Sequence, residues 1–270
     1  MTRCLIAICA PAGLLALLVV SVRSGIVAPD REQALRAAGL NSLPPMMLWA
    51  WERREDLTFI DPDTVGVAVL AGTVFIRGDS VAVRPRFQPL IVPHGTRLVA
   101  VVRIQASHSR PPSLSALQRT QTLQAIEHLA RGNIEALQID FDATNSQRMF
   151  YRALLFDLRR ALPASLPLSI TAIASWCIYD AWLKTLPIDE AVPMLFRMGP
   201  DSARVREYLA VGGDFPTAPA RRSLGIACDE APVRIPANRR VYIFSPRAWS
   251  RGQEAAALER LKAWGQSFAR

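Results

Sequence analysis

The chain has 270 residues, half of them hydrophobic, and a formal net charge of +9 from 32 basic and 23 acidic residues. A clustered positive charge would point to nucleic acid or an anionic membrane, but here only Lys184 and Lys262 are lysines. The arginines are scattered, with pairs at Arg53/Arg54, Arg159/Arg160, Arg221/Arg222 and Arg239/Arg240. No strand interleaves aromatic and basic residues, and neither a helix-turn-helix pattern nor zinc-finger spacing occurs, so nucleic-acid binding is excluded as a function class.

In chain order, Arg3 precedes an apolar run from Leu5 to Val20, which reads as a targeting segment and implies export to the periplasm. The run is long for a cleaved signal core and short for a comfortable span, and "SVRSGIVA" offers no clear cleavage site. Residues 1–25 are therefore either a signal peptide or an N-terminal inner-membrane anchor, with membrane attachment through residues 5–22. Residues 26–270 are enough for one large domain or two small ones, and one domain is expected because α/β barrels commonly have about 250 residues.

A short helix is expected over Arg31 to Ala38, stopped by Gly39. Apolar runs then recur, at Met46–Trp51, Val65–Leu70, Leu98–Ile104, Glu135–Phe141, Leu168–Ala174, Val192–Met198, Leu224–Cys228 and Val241–Phe244. Each is short, β-branched or otherwise apolar through most of its length, and bounded by Gly, Pro, Asp or Arg, as a strand buried on both faces would be. Amphipathic helices are expected over Leu114–Arg131, Ser146–Leu162, Ser202–Ala210 and Gln253–Phe268. Strand, helix, strand is the unit of a parallel sheet, and eight runs predict an α/β fold, a (β/α)8 TIM-like barrel. The barrel is irregular: "TVFIRGDSVAVRPR" reads as a hairpin turning at Gly78 and Asp79, and "APVRIPANRR" is too short and Pro-rich for a helix.

Cys4 and Cys9 lie in the leader. Cys177 and Cys228 fall at the ends of strands that are not neighbours, which argues against a disulfide. His94, His108 and His128 have no ligand spacing, and no P-loop or nucleophile elbow occurs, so no metal or cofactor is expected.

The chemistry concentrates in "IEALQIDFDAT", residues 134–144. On a strand, Ala136, Gln138, Asp140 and Asp142 share one face, and Leu137, Ile139 and Phe141 share the other. If the apolar face meets the helices, the two aspartates point into the barrel at its C-terminal mouth, where barrel enzymes keep their chemistry. Like charges there raise at least one carboxyl pKa, as a general acid requires.

"LQIDFDA" after a Gly-ended helix, together with "LWAWERREDLTFI", resembles an uncharacterised bacterial family of exported, barrel-like proteins of unknown function. More remotely, Asp140 and Asp142 resemble the fourth-strand aspartates of chitinase-type (family 18) glycoside hydrolases, whose motif is D-x-x-D-x-D-x-E. The likeness implies a carbohydrate-directed hydrolase, but the motif's first Asp falls on Leu137 and its catalytic Glu on Thr144. The acid must then come from the pair itself or from another strand end, where Glu52, Asp229 and Glu230 are candidates.

Trp49 and Trp51 on the first strand, Trp176 and Tyr179 after the fifth and Trp249 after the eighth offer flat faces to sugar rings. Arg103 and Arg197 are candidate partners for the aspartates or for an acidic sugar, and Gln138 is a candidate polar contact on the aspartate face. The reading is an exported glycoside-hydrolase-like protein whose ligand is a poly- or oligosaccharide. The alternative is a non-catalytic, polysaccharide-binding or envelope-associated barrel.

Overall fold

The computed structural model describes residues 29–230 and 234–265, so the leader and its cleavage or anchoring lie outside the described residues. The elements in order are α1 (Pro29–Asn41), β1 (Met46–Ala50), β2 (Glu55–Asp56), β3 (Val65–Arg77), β4 (Ser80–Pro85), β5 (Leu90–Ile91), β6 (Leu98–Ala106), α2 (Ala116–Leu129), β7 (Ala136–Asp140), α3 (Arg148–Ala161), β8 (Leu168–Ile173), α4 (Ala174–Tyr179), β9 (Glu190–Met194), α5 (Ser202–Ala210), β10 (Ser223–Ala227), β11 (Arg240–Phe244) and α6 (Arg251–Ala263).

Strands β1, β3, β6, β7, β8, β9, β10 and β11 pair in parallel in that order, and β11 returns to β1 through Met46 opposite Val241. The sheet is thus a closed, eight-stranded parallel barrel of TIM-like form. Regular helix alternation is absent: helices follow β6, β7, β8, β9 and β11, whereas β2, β4 and β5 occupy the connections after β1 and β3. The expected hairpin forms as β3 and β4, antiparallel, with Arg77 opposite Ser80 and the turn at Gly78 in the left-handed region (φ +48°).

Two apolar layers hold the barrel. Outward residues such as Val67, Val74, Ile139 and Ile170 pack against the helices, and α3 alone buries Phe150, Tyr151, Leu154, Leu155 and Leu158. At about 1.5–3 kcal/mol for each fully buried aliphatic or aromatic side chain, this packing outweighs exposed pairs such as Lys262 with Glu259, worth about 0–1 kcal/mol. The lumen is filled by Met47, Trp49, Ala68, Val99, Val101, Val192 and Tyr242, with Leu40 and Leu43 closing the floor beside α1. Glycines make room for the large members: a Cβ on Gly66 would stand 2.6 Å from Met47 Sδ, and one on Gly225 would stand 2.9 Å from the Trp49 ring.

One chain of polar groups in the lumen satisfies itself, although the buried Ser223 hydroxyl has no hydrogen-bond partner. Trp49 Nε1 donates to Gln138 Oε1 (2.9 Å), Gln138 Nε2 to Ser169 Oγ (3.2 Å), and Ser169 Oγ to Glu190 Oε2 (2.8 Å). Glu190 also accepts from Tyr242 (3.0 Å) and Arg240 (2.8 Å), and Arg240 reaches on to the Leu40 carbonyl. A fully buried carboxylate is tolerated there because each oxygen has a charged or hydroxyl donor.

The structure corrects several boundaries. The first helix passes through Gly39 to Asn41; a Cβ at Gly39 would lie 3.2 Å from Pro167 Cγ, so close packing rather than helix termination accounts for this glycine. The strand expected over Val192–Met198 instead begins at Glu190 and ends at Met194, because the buried network accommodates a charge at its start. The run ending at Leu70 continues to Arg77 through a bulge: Leu70 pairs with Val101 and Gly72 with Val102, leaving Ala71 extra. Cys177 and Cys228 are free thiols.

Candidate active site

At the C-terminal mouth lies a cavity of about 770 Å³ whose walls include Trp51, Glu52, Thr73, Arg84, Arg103, Gln105, Asp140, Asp142, Phe196, Arg197 and Phe244. Period-two alternation delivers most of them. Trp51, just past β1, continues the inward alternation of Met47 and Trp49, and Asp140 follows Ala136 and Gln138 on β7. The bulge at Ala71 resets the alternation, so Leu70 and Thr73 both face the cavity.

Asp140 is buried at the last position of β7. Its Oδ1 accepts from the Thr171 hydroxyl at 2.8 Å, and its Oδ2 stands 3.8 Å from Arg103 Nε, a charge contact rather than a hydrogen bond. Burial, reinforced by the charge of Asp142, pushes the Asp140 carboxyl up to about 6, against the opposing pull of Thr171 and Arg103. Asp142 is also raised by partial enclosure against the pull of Arg103, although its side chain still reaches water. Behind the pair, Tyr151 is fully buried edge-to-face with Phe141 (5.1 Å), and its hydroxyl has no hydrogen-bond partner. Burial and the two aspartate charges hold its phenol protonated far above its ordinary value.

The opposite wall is aromatic and cationic. Phe196 and Phe244 stack with rings 8° from parallel and 5.6 Å apart, and Trp51 meets Phe244 edge-on at 6.1 Å. The Arg197 guanidinium lies over Phe244 at 4.6 Å and that of Arg103 over Trp51 at 5.8 Å. Arg197 adopts a left-handed backbone (φ +50°), unusual for a residue with a Cβ, while its N–H donates to Glu230 Oε1 at 3.0 Å. Glu52 sits 3.6 Å from Arg84; its Oε2, like the buried Trp51 Nε1, has no hydrogen-bond partner. Orphan polar atoms at a cavity edge are groups a polar ligand would satisfy.

Of the residues singled out from sequence, Asp140, Asp142, Glu52, Trp51, Arg103 and Arg197 meet at this cavity. Gln138 does not: it lies one layer deeper, consumed by Trp49 and Ser169. Trp249 is buried, donating Nε1 to the Trp49 carbonyl (3.0 Å) and its backbone N–H to Glu55 (2.9 Å), so it is structural. Trp176 packs on the outer layer between Trp182 and Arg148, and Trp49 fills the lumen. Tyr179 lies at the surface under Arg204, 3.6 Å from its ring centroid. Glu230 anchors the Arg197 backbone rather than lining the cavity, and Asp229 pairs with Arg197 at 3.8 Å. Thr144, where the chitinase-type motif has its Glu, caps a short helical turn, its N–H bonded to Gln147.

Sequence reasoning missed Thr73, Thr171, Arg84, Phe196 and Phe244. Thr171 and Phe244 carry an ordinary signal, being inward by alternation from Ser169 and Tyr242. Thr73 and Arg84 depend on the bulge and hairpin. Among the described residues no group of three His, Cys, Asp or Glu side chains could hold a metal ion, and no helix is long and apolar enough to cross a membrane.

Residues 94–192 match the model of a family described as a domain of unknown function, DUF3142. The match spans β6 to the start of β9 and therefore contains Arg103, Asp140, Asp142, Thr171 and Glu190. No curated protein and no solved structure matches the chain. The barrel and this match agree with an uncharacterised, barrel-fold family.

Proposed function

We propose that this protein is an exported glycoside-hydrolase-like enzyme acting on a poly- or oligosaccharide at the barrel mouth. The observation that carries the reading is the state of Asp140. It is a buried carboxyl with its pKa pushed up to about 6, fixed in orientation by Thr171 and beside Asp142, at the edge of an open cavity with an aromatic wall. A carboxyl near 6 holds its proton at mildly acidic pH and can give it to a leaving glycosidic oxygen. Asp142, closer to water, would orient the attacking water or stabilise the oxocarbenium-like charge, with Glu52 as a third carboxylate in the same cavity. Trp51, Phe196 and Phe244 supply the apolar faces that sugar rings seek. Export rests on the apolar leader Leu5 to Val20.

A second reading is favoured by one observation: the motif's proton-donor position is the helix-capping Thr144, which suits a barrel that binds polysaccharide without cutting it. A hydrolysis screen over bacterial and plant polysaccharides separates the two. The parent should release reducing ends from at least one polymer, and Asp140→Asn and Asp142→Asn should each lower the rate by about 10²-fold or more. Unchanged rates in both variants would remove the catalytic assignment. Binding with no cleavage by the parent would establish the second reading.

A further inference from the structure

The mouth is one end of a longer groove. Beside the main cavity, a hollow of about 190 Å³ is lined by Asp140, Asp142, His108, Thr144 and Gln147, and a further one of about 650 Å³ by Phe75, Arg77, Ala82, His108 and Ser109. Gln105 borders all three. The reason is topological: β3 and β6 run past the barrel rim and, with β4, form a projecting wall. Its inner face carries Thr73, Phe75 and Arg77 on β3, opposite Arg103 and Gln105 on β6 and Arg84 and Ala82 on β4. From Thr73 to Arg77 this wall adds roughly 13 Å at ~3.3 Å per residue, more than one sugar ring occupies.

The wall is anchored. Fully buried Gln118 on α2 donates to the carbonyls of Gly78 (2.9 Å) and Ser80 (3.2 Å), and Ser113 N–H donates to Gly78 (2.7 Å), tying the hairpin turn to the start of the helix.

The groove is lined by cations held ready for anions. The Arg84, Arg103 and Arg197 side chains are about half exposed, at 54%, 47% and 56%, and their guanidinium planes are set by Phe75 (5.4 Å), Trp51 (5.8 Å) and Phe244 (4.6 Å). Their acidic neighbours Glu52, Asp140 and Asp229 stand at 3.6, 3.8 and 3.8 Å, beyond hydrogen-bond range, so those carboxylates do not consume the N–H edges. Arg77 is exposed and makes no ion pair among the described residues. A planar guanidinium braced on an aromatic face presents a fork that fits a carboxylate. Facing these cations are Glu52 and Asp142 at the mouth, and Asp79 lies at the hairpin turn.

Building on the carbohydrate reading of the mouth, we infer that the groove holds an acidic polysaccharide as an extended chain, its carboxylates on Arg77, Arg84, Arg103 and Arg197 and one glycosidic linkage over the aspartates. Calorimetry on the Asp142→Asn protein, with alginate, polygalacturonate and hyaluronan each beside its carboxyl-reduced form, tests this without interference from hydrolysis. At least one acidic polymer should bind about tenfold or more tighter than its reduced form, and more weakly as salt rises. Adding Arg77→Gln or Arg84→Gln should each weaken that binding by about tenfold, with Arg77→Lys recovering part of it and thermal unfolding reporting that the variants remain folded. Equal affinity for acidic and reduced polymers, no binding of any acidic polymer, indifference to the arginine substitutions, or tighter binding of a single-stranded oligonucleotide would overturn the inference. The two proposals fail separately: cleavage of a neutral polymer with no preference for acid defeats this one alone, whereas capture of an acidic polymer that the parent never cuts defeats only hydrolysis.

Discussion

The Thr171 hydroxyl donates to Asp140 Oδ1 at 2.8 Å, from the strand next to the one that carries the aspartate. This bond favours the charged carboxylate and so works against the burial that raises its pKa. Thr171→Val removes the donor at nearly constant volume. The Asp140 titration, followed by NMR in protein labelled at the aspartate carboxyl carbon, should then move above about 6. A titration that stays in place would show that the hydroxyl does not stabilise the charge.

Asp140→Asn should stabilise the fold, and the gain should depend on pH in a definite direction. A carboxyl raised from 3.8 to about 6 binds its proton more tightly in the folded chain than in the unfolded one. Its destabilising effect is absent below about 3.8, grows as pH rises, and is complete above about 6. The variant should therefore melt near the parent temperature at pH 4 and above it at pH 7, by the equivalent of about 1–3 kcal/mol. An equal shift at both pH values would contradict the burial argument. Such a cost at a proposed catalytic position is the usual trade between stability and activity.

Glu190→Ala should be among the most damaging substitutions in the molecule. It leaves Arg240, Tyr242 and Ser169 without their shared acceptor in the closed lumen. Removing one member of a buried ion pair costs about 3–5 kcal/mol, because the other charge remains uncompensated. Chemical denaturation measures this directly. Adding Arg240→Met to the same chain should recover part of the loss, and a double variant no better than the single would argue that packing rather than charge dominates.

Gly225→Ala should destabilise by about 1–3 kcal/mol, since the new methyl would stand 2.9 Å from the Trp49 ring in a filled layer. Trp49 is locked by Gln138 through its indole N–H, so it cannot swing aside freely. Adding Trp49→Phe should relieve the clash and shrink the penalty seen in thermal unfolding.

The eight strands were legible because each is an apolar run, and closure followed from their number. The inward aim of Asp140 was legible for the same reason: alternation along Ala136, Gln138 and Asp140 is local. Pairings between distant parts of the chain were not. Gln138 read as a ligand contact until Trp49, 89 residues earlier, supplied the donor that occupies it. Glu190 carries no local signal of its role, since its partner Arg240 is 50 residues away and a charge at a strand start ordinarily signals solvent. The bulge was hidden because "LAGTVFI" is apolar on both sides of Ala71, so nothing in the run announces a change of face. Trp176, Trp249 and Glu230 follow strand ends as site residues do, but packing and backbone hydrogen bonds had already claimed them.

Ala71 has an importance out of proportion to its size. Straightening the bulge with Ala71 kept in the ladder would slip the rest of β3 by one residue against β6, presenting Val74 and Ile76 to the opening and sending Thr73, Phe75 and Arg77 toward the helices, whereas excising Ala71 would leave those three facing as they do. The shape of the cavity and the charge along its approach are thereby coupled to whether one residue bulges out of the ladder or joins it.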